Sequence, residues 1–398
     1  MTTDLAQARP SELSLTALFL KFLRFGFLAF GGPVAQIAMI RHALIEEERW
    51  IEPARFNRLL AVLQVLPGPE AHELCVHLGM VARGRIGGLL AGLGFMLPGF
   101  ALMLIAGWVY VGWIAGSAGL SGMLLGVQVV VLAVILRAVV RIGEHIVEDR
   151  LLALVAAASL LATLAGVAFW IPLVAGGLAY AVSHRPVAAI AVILAAAGVA
   201  AAVHLTATTA SSGPATAAAP VTLAALFVAG LKGGLLTFGG AYTAIPYVRA
   251  DTVGRGWIGD GTFLDGIALA GVLPAPLVIF ATFVGYVAGG PGGALAITAG
   301  MFLPAFAFSL ILFERLEAIV ENPALHRLLA GVAAAVVGII AATFVQLGQA
   351  TGARVAEPWF ALLLFAAALV VVWRIKGAWV TPAIVAGGAI AGWLGMSV

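Results

Sequence analysis

The stretch that most constrains this chain is residues 64–77, QVLPGPEAHELCVH. Pro67-Gly68-Pro69 cannot continue a helix, because proline lacks the amide hydrogen and crowds the preceding turn, while glycine favours termination. Four ionisable side chains, Glu70, His72, Glu73 and His77, follow at once, all inside an apolar run from Leu59 to Ala82. Breaks and titratable groups at membrane depth are costly and mark working parts of a protein. That the run lies in a membrane follows from composition: of 398 residues, 63% are hydrophobic and 10% charged, more apolar surface than a soluble domain can hide. Helices satisfy their own backbone in lipid, so the expected fold class is an all-α polytopic membrane protein.

Residues 1–13 are polar, and Arg9-Pro10 leads into a helical pattern with no small-residue cleavage site, so the first helix is expected to serve as its own uncleaved targeting signal. The net charge of +3 belongs to loops and implies no nucleic-acid partner; the expected surroundings are membrane lipids. Cys75 is the one cysteine, which excludes an intrachain disulfide and a cysteine metal cage and leaves packing as its role.

Apolar stretches lie at 14–45, 59–82, 86–115, 123–142, 151–166, 168–182 and 186–203, then resume at 221–248, 263–288, 293–313, 325–347, 357–373 and 379–395. Between them, 204–220 is polar but uncharged and reads as a flexible linker. The two sides match: Phe30-Gly31-Gly32, Trp50, Phe56, Leu66-Pro67-Gly68-Pro69 and Leu97-Pro98 return as Phe238-Gly239-Gly240, Trp257, Phe263, Leu273-Pro274-Ala275-Pro276 and Leu303-Pro304. Three regions follow: a first repeat at 1–185, an unpaired span and linker at 186–220, and a second repeat at 221–398. Charge gives their orientation. The turn Arg83-Gly84-Arg85 is basic where its counterpart 290–292 is uncharged, whereas loop 116–122 is uncharged where its counterpart 314–327 holds Arg315, His326 and Arg327. Under the positive-inside rule this crossed pattern predicts tandem inverted repeats, with Arg141, Arg150, Arg185, Arg374 and Lys376 also cytoplasmic. Arg41, Arg49, Arg55 and Arg58 fall outside if 14–45 and 59–82 both cross, and inside if both are re-entrant hairpins; the count is thirteen spans, or nine plus four hairpins.

Gly31-Gly32-Pro33 and Pro67-Gly68-Pro69 punctuate one helix ending and another beginning. Each points a helix N-terminus, with free N–H groups and a positive dipole end, into the membrane interior, which suits an anion; a packing kink is the alternative. Gly239 and Gly240 repeat the first break. Arg24 precedes it, with Lys232 in the matching place, and both suit an anionic ligand or a snorkelling role. Gln36 and Gln64 flank the breaks and are expected to donate amide N–H groups to an oxyanion or between helices. Glu70, Glu73 and His77 share one face of a helix starting at Pro69, with His72 pointing elsewhere, a pattern for carrying protons or for a structural network. His72 and His77 lack the i,i+4 spacing of a zinc site, so no metal is expected. Arg137 and Arg141, one turn apart, read as an interfacial anchor.

FGGP at 30–33, Trp50, LPGPEA at 66–71, GG at 87–88 and LPG at 97–99, doubled in weaker form, resemble the chromate ion transporter (CHR) family. The resemblance implies an inner-membrane secondary transporter that exports chromate and confers resistance to it, without a cofactor, with sulfate as the look-alike anion and a homodimer left open. Of the two halves, the first is expected to hold the site. The second half departs from the pattern, reading FGGA at 238–241 and LPAP at 273–276, and has no acids after its proline pair. Export of a dianion from an inside-negative cell releases about 4.6 kcal/mol per 100 mV, twice the single-charge figure, so no pump is needed, and no GxxxxGK[ST] nucleotide loop is present. A membrane enzyme using Glu70, His72 and Glu73 would gain little from a duplicated scaffold. Inverted topology has a direct check: in a chain lacking Cys75, single cysteines at Ser117 and Gly292 should both label from outside, and labelling from opposite sides would mean parallel repeats.

Overall fold

The computed structural model describes residues 13–63, 67–210, 220–238, 240–312, 323–375, 377 and 379–396. Gln64, Gly239, Arg315 and Lys376 therefore lie outside the described residues. Among the described residues the chain is helical throughout, with no strand.

Helix α1, Leu15–Phe27, is capped by the Ser14 hydroxyl, which accepts from the Ala17 amide at 3.1 Å. It stops at Leu28, and α2, Gly32–Ile40, begins after Gly31 in the left-handed region (φ 86°) with Pro33 in its first turn, then widens into a π-turn at Arg41–Glu47. The direction of α2 follows from Lys21. Its ammonium pairs with Glu48 and sits 5.5 Å from the Trp50 ring, and the Phe22 and Trp50 rings are 6.2 Å apart. Had α2 continued outward, these groups would be more than about 30 Å apart at 1.5 Å per residue. The chain turns back, so 15–47 is a re-entrant hairpin.

A second hairpin joins α3, Pro53–Leu63, to α4, residues 70–82, across the Pro67-Gly68-Pro69 break; Arg55 at the start of α3 lies within electrostatic reach of His77 near the end of α4. Leu18, Phe22, Ile40, Leu44, Phe56, Leu74 and Leu78 pack both hairpins into one core. At 8 to 13 residues, these half-helices and their second-half counterparts cover about 12–20 Å, short of the ~30 Å hydrocarbon core. The hairpins put Arg41, Arg49 and Arg55 at the same end as the turn at 83–85, since Leu18 packs on Gly87. Of the two topologies left open by the sequence, the structure has the re-entrant one.

Arg83 and Gly84 leave the helical region (φ −141° and 64°), and α5, residues 85–109 with a π-turn at Tyr110–Ile114, returns alongside α4. Gly79 abuts Gly87 and Ala91, and Gly88 abuts Val76 and Met80, contacts only an antiparallel pair can make. The same turn recurs at Gly289 and Gly290 (φ −143° and 64°). There α13, residues 280–288, folds back on α14, residues 291–307, and Thr282 and Thr298 share a 2.7 Å hydrogen bond. Ahead of it lie α10 (Leu223–Leu235), α11 (Ile245–Thr252) and α12 (Asp260–Val272). Gly88 and Gly92 at the start of α5 abut Leu310 and Phe306, just past and at the far end of α14, while Gly107 near its end abuts Tyr286 of α13 beside the turn at 289–290, so α5 is antiparallel to α14.

The remaining helices exchange partners. They are α6 (Ser121–Ile146), α7 (Arg150–Leu164), α8 (Trp170–Ala181), α9 (Pro186–Ala210), α15 (Pro323–Gly352), α16 (Pro358–Arg374) and α17 (Val380–Gly395). α6 packs against α16 and α17, while α15 packs against α7 and α8, so each half's long helix is embraced by the other half's last two. Glycines allow the approach: Gly122 and Gly126 against Gly388 and Gly392, Gly331 against Gly176, Gly338 against Ala156. The expected linker starts later than the sequence suggested, because α9 carries its Ala-rich hydrogen-bond ladder through 204–210. Gly126→Val would drive a branched side chain into the Gly388 carbonyl and should cost about 1–3 kcal/mol or more, read as a lower melting temperature in detergent. Gly198→Ala, on α9 with open space around it, should leave stability unchanged or raise it by up to about 1 kcal/mol.

Candidate anion site

The four helix breaks meet. The Gly68 amide, in the second hairpin of the first half, donates to the Thr237 carbonyl at 2.9 Å, beside the first break of the second half. Reciprocally, the Gln36 amide donates to the Ala29 carbonyl at 2.8 Å and the Ala275 carbonyl at 2.9 Å, tying the first break of one half to the last of the other. Gly99 sits on Ala275, and Ala305 on Gly68, which closes the crossing. At this level Gly31, Gly32 and Pro33 open α2, Pro67, Gly68 and Pro69 open α4, and Gly240 (φ 130°) opens a 3₁₀ turn, Ala241–Ala244, that leads into α11. The N-terminal ends of α2 and α4 are thus directed into the middle of the molecule.

Two of the expected donors are already engaged. Gln36 is 1% exposed and spends both amide hydrogens on backbone carbonyls, so it is a clamp between halves and has no N–H left for an anion. Lys232 is ion-paired with Asp251 at 3.1 Å, and Asp251 also accepts from Arg255. The first half has Ala43 where the second has Asp251, and Arg24 is exposed on α1 without an ion pair or hydrogen bond among the described residues. The matched cations of the sequence are therefore unequal, one neutralised and one open.

Glu70 begins α4 half-buried, while Glu73 is fully buried and His77 is 3% exposed. Neither Glu73 carboxyl oxygen has a hydrogen-bond partner among the described residues, and the group sits directly beneath Gly68. An uncompensated carboxylate there would cost several kcal/mol. His72, set aside by the helical wheel, is also fully buried, its ring 4.9 and 4.7 Å from those of Phe302 and Phe306 on α14. α4 is enclosed by its hairpin partner, α5 and the other half, so residues 71–79 are all buried, with His72 turned to α14 and Glu73 to the break at Gly68. Cys75 packs in this core.

A second polar cluster escaped the sequence reading. At the end opposite the Arg83 turn, Asp265 of α12 is 3% exposed and accepts from Tyr110 and from Gln128, each at 2.8 Å. Gln128 also donates to the Gly261 carbonyl and accepts from Arg354, while Arg249 binds Asp260 and Gln346. The signal available was an aspartate inside the apolar run 263–288 and a glutamine inside 123–142.

Re-entrant hairpins, exchanged long helices and helix breaks meeting at mid-depth define a multi-pass helical membrane transporter. A sequence model of the chromate transporter family matches residues 16–230 and again 224–393. The chain is 56% identical over 397 residues to the chromate transport protein of Pseudomonas aeruginosa, covering 99% of this chain and 95% of that one. It is 31% identical over 384 residues to that of Cupriavidus metallidurans (95% and 92% covered) and 30% over 391 residues to the probable chromate transport protein of Synechococcus elongatus (95% of each). No solved structure matches. The chain belongs to the chromate transporter family, a group of multi-pass bacterial membrane transporters and not enzymes.

If Gln36 is a clamp, Gln36→Leu should strand two buried carbonyls at about 1–3 kcal/mol each and lower the melting temperature by several degrees. A ligand role alone would leave stability intact and weaken only anion affinity.

Proposed function

We propose that this protein exports chromate across the bacterial inner membrane as a secondary transporter, and so confers chromate resistance, with the crossing of the four breaks as its anion site. The observation that carries the reading is the pairing of Gly68 with Thr237 and of Gln36 with Ala275, which gathers helix N-termini at one depth in a chain of this family. The two halves act as inverted repeats; the antiparallel course of α5 and α14 and the arginines at the 83–85 end support that orientation, with that end cytoplasmic. Arg24 and the N-terminal turns of α2 and α4 receive the oxyanion.

Export runs down the membrane potential, and Glu73, with Glu70 and His77 on the same helix, couples a proton to it. A carboxylate about 6 Å from a dianion is repelled by roughly 5 kcal/mol at an effective dielectric of 20, so this face holds a proton while the anion is bound. Protons entering as chromate leaves add a pH gradient to the drive.

Uptake of labelled chromate and sulfate into inverted vesicles under an imposed potential tests the reading, and no response of either flux to the protein would refute it. Arg24→Ala should abolish transport while still reaching the membrane, with partial rescue by Arg24→Lys, which lacks the planar fork. Glu73→Gln should still exchange chromate but lose its response to a pH gradient; if Glu73→Gln and Glu70→Gln both keep the wild-type response, the potential alone drives export.

A further inference from the structure

A buried carboxylate is stable only with donors on its oxygens, and Asp265, 3% exposed, has one on each. Oδ2 accepts from the Tyr110 hydroxyl of α5 and Oδ1 from the Gln128 amide of α6, both at 2.8 Å. The other end of the same amide meets a cation, because the Gln128 carbonyl oxygen accepts from the Arg354 guanidinium at 2.6 Å. One side chain therefore joins a buried anion to an exposed cation, and the two charges fix which way it points. Tyr110 and Gln128 belong to the first half, Asp265 and Arg354 to the second. Counted from the matched Phe56 and Phe263, the first half has Arg58 where the second has Asp265, so the acid is not part of the scaffold the halves share.

The cluster reaches solvent through a hydroxyl. An open cavity of about 370 Å³ at the start of α12 is lined by Gly261, Thr262, Ala350 and Arg354, and the Thr262 hydroxyl stands 3.4 Å from that of Tyr110. Tyr110 thus lies between the cavity wall and the carboxyl, and a phenol hydroxyl both donates and accepts. If Asp265 takes a proton on Oδ2, the new O–H donates to Tyr110, which turns its own hydrogen to Thr262. Nothing is stranded by the change. Gln128, however, is left donating to a neutral acid, and a hydrogen bond without the charge is about half as strong. Among the described residues the titratable or charged groups turned to Asp265 are Tyr110 and, through Gln128, Arg354 at the end of α15. Asp260 on the same helix is held by Arg249 of α11, and α13 and α17 bring Phe283 and Thr381 to α12.

We propose that Asp265 is a proton-binding residue that latches the end of the molecule opposite the Arg83 turn. Ionised, it holds α12 to α6 through Gln128 and keeps that end shut; protonated by way of the cavity and Tyr110, it releases Gln128 and the end opens. This rests on the reading of the chain as a transporter whose Arg83 end is cytoplasmic. The carboxylate is present at higher pH and is lost as pH falls, so acid outside opens the outer end and lets the anion leave.

The latch is read by a thiol placed behind it. In right-side-out vesicles, with Cys75→Ala, the probe is Leu132→Cys, 6% exposed and one turn inward from Gln128 on α6, labelled by a maleimide applied outside. Its rate is divided by that of Ser117→Cys on the same side, which corrects for the pH dependence of a thiol. The ratio should rise about tenfold as the outside goes from mildly alkaline to mildly acidic. Asp265→Asn, the neutral isostere, should give a high ratio at every pH. Tyr110→Phe should keep the response with its midpoint at higher pH, since a carboxylate with one donor fewer takes a proton more readily; a network that only packs would change the melting temperature and no midpoint. If Asp265→Asn does not fold, Tyr110→Phe carries the test. A ratio independent of outside pH with Asp265 in place, or a wild-type profile in Asp265→Asn or Tyr110→Phe, would overturn the latch. Chromate uptake into inverted vesicles is scored apart: flux without the labelling response overturns the latch alone, and the labelling response without flux overturns the transport reading alone.

Discussion

Backbone groups freed by a helix break inside an apolar layer must find partners, and in this molecule they find them across the two halves. Gly68 donates to Thr237, and Gln36 ties Ala29 to Ala275. Each unmade bond of this kind would cost about 1–3 kcal/mol, so the breaks of one half are stable only when the other half is docked. That dependence fixes the depth at which four re-entrant hairpins end, and therefore where helix N-termini and buried acids can face a substrate. The hairpins in turn need α5 and α14 as backing, which glycine contacts such as Gly26 on Phe95 and Gly230 on Ile297 provide.

Exchange of the last helices reinforces the same dependence. With α6 held by α16 and α17, and α15 by α7 and α8, neither half completes its long helix's packing alone. The hairpin pairs and the exchanged helices form two groups whose polar contacts concentrate at Asp265, Gln128, Arg249 and Gln346, and relative motion of the groups has to break those bonds.

The sequence made the class, the recurring motifs and the positions of the breaks legible, because Gly/Pro punctuation and apolar run length act locally. Re-entrance was legible only as one of two topologies, through the arginines at 41–58; what decides it, Lys21 beside Glu48, is a contact over 27 positions that no periodicity records. Gln36 takes the second of the two roles open to it, donating between helices; a glutamine beside a break suits an anion and a carbonyl equally, and only the partner decides. His72 points away from Glu73, onto Phe302 and Phe306, but its burial was not legible, since a helical wheel gives a direction and not what covers it. Asp265 was hidden in a run read for its apolar content, and Lys232 was read without its partner Asp251, which lies beyond the run 221–248.

The central claim is that the first apolar stretch enters and leaves the membrane on one side, which brings the breaks to mid-depth. Cysteines replacing Lys21 and Glu48, in a chain with Cys75→Ala, measure it directly through capture by a short bis-maleimide in native membranes. The account predicts efficient intramolecular cross-linking and labelling of both positions from the cytoplasmic side. No cross-link, with the two cysteines labelling from opposite sides, would contradict it.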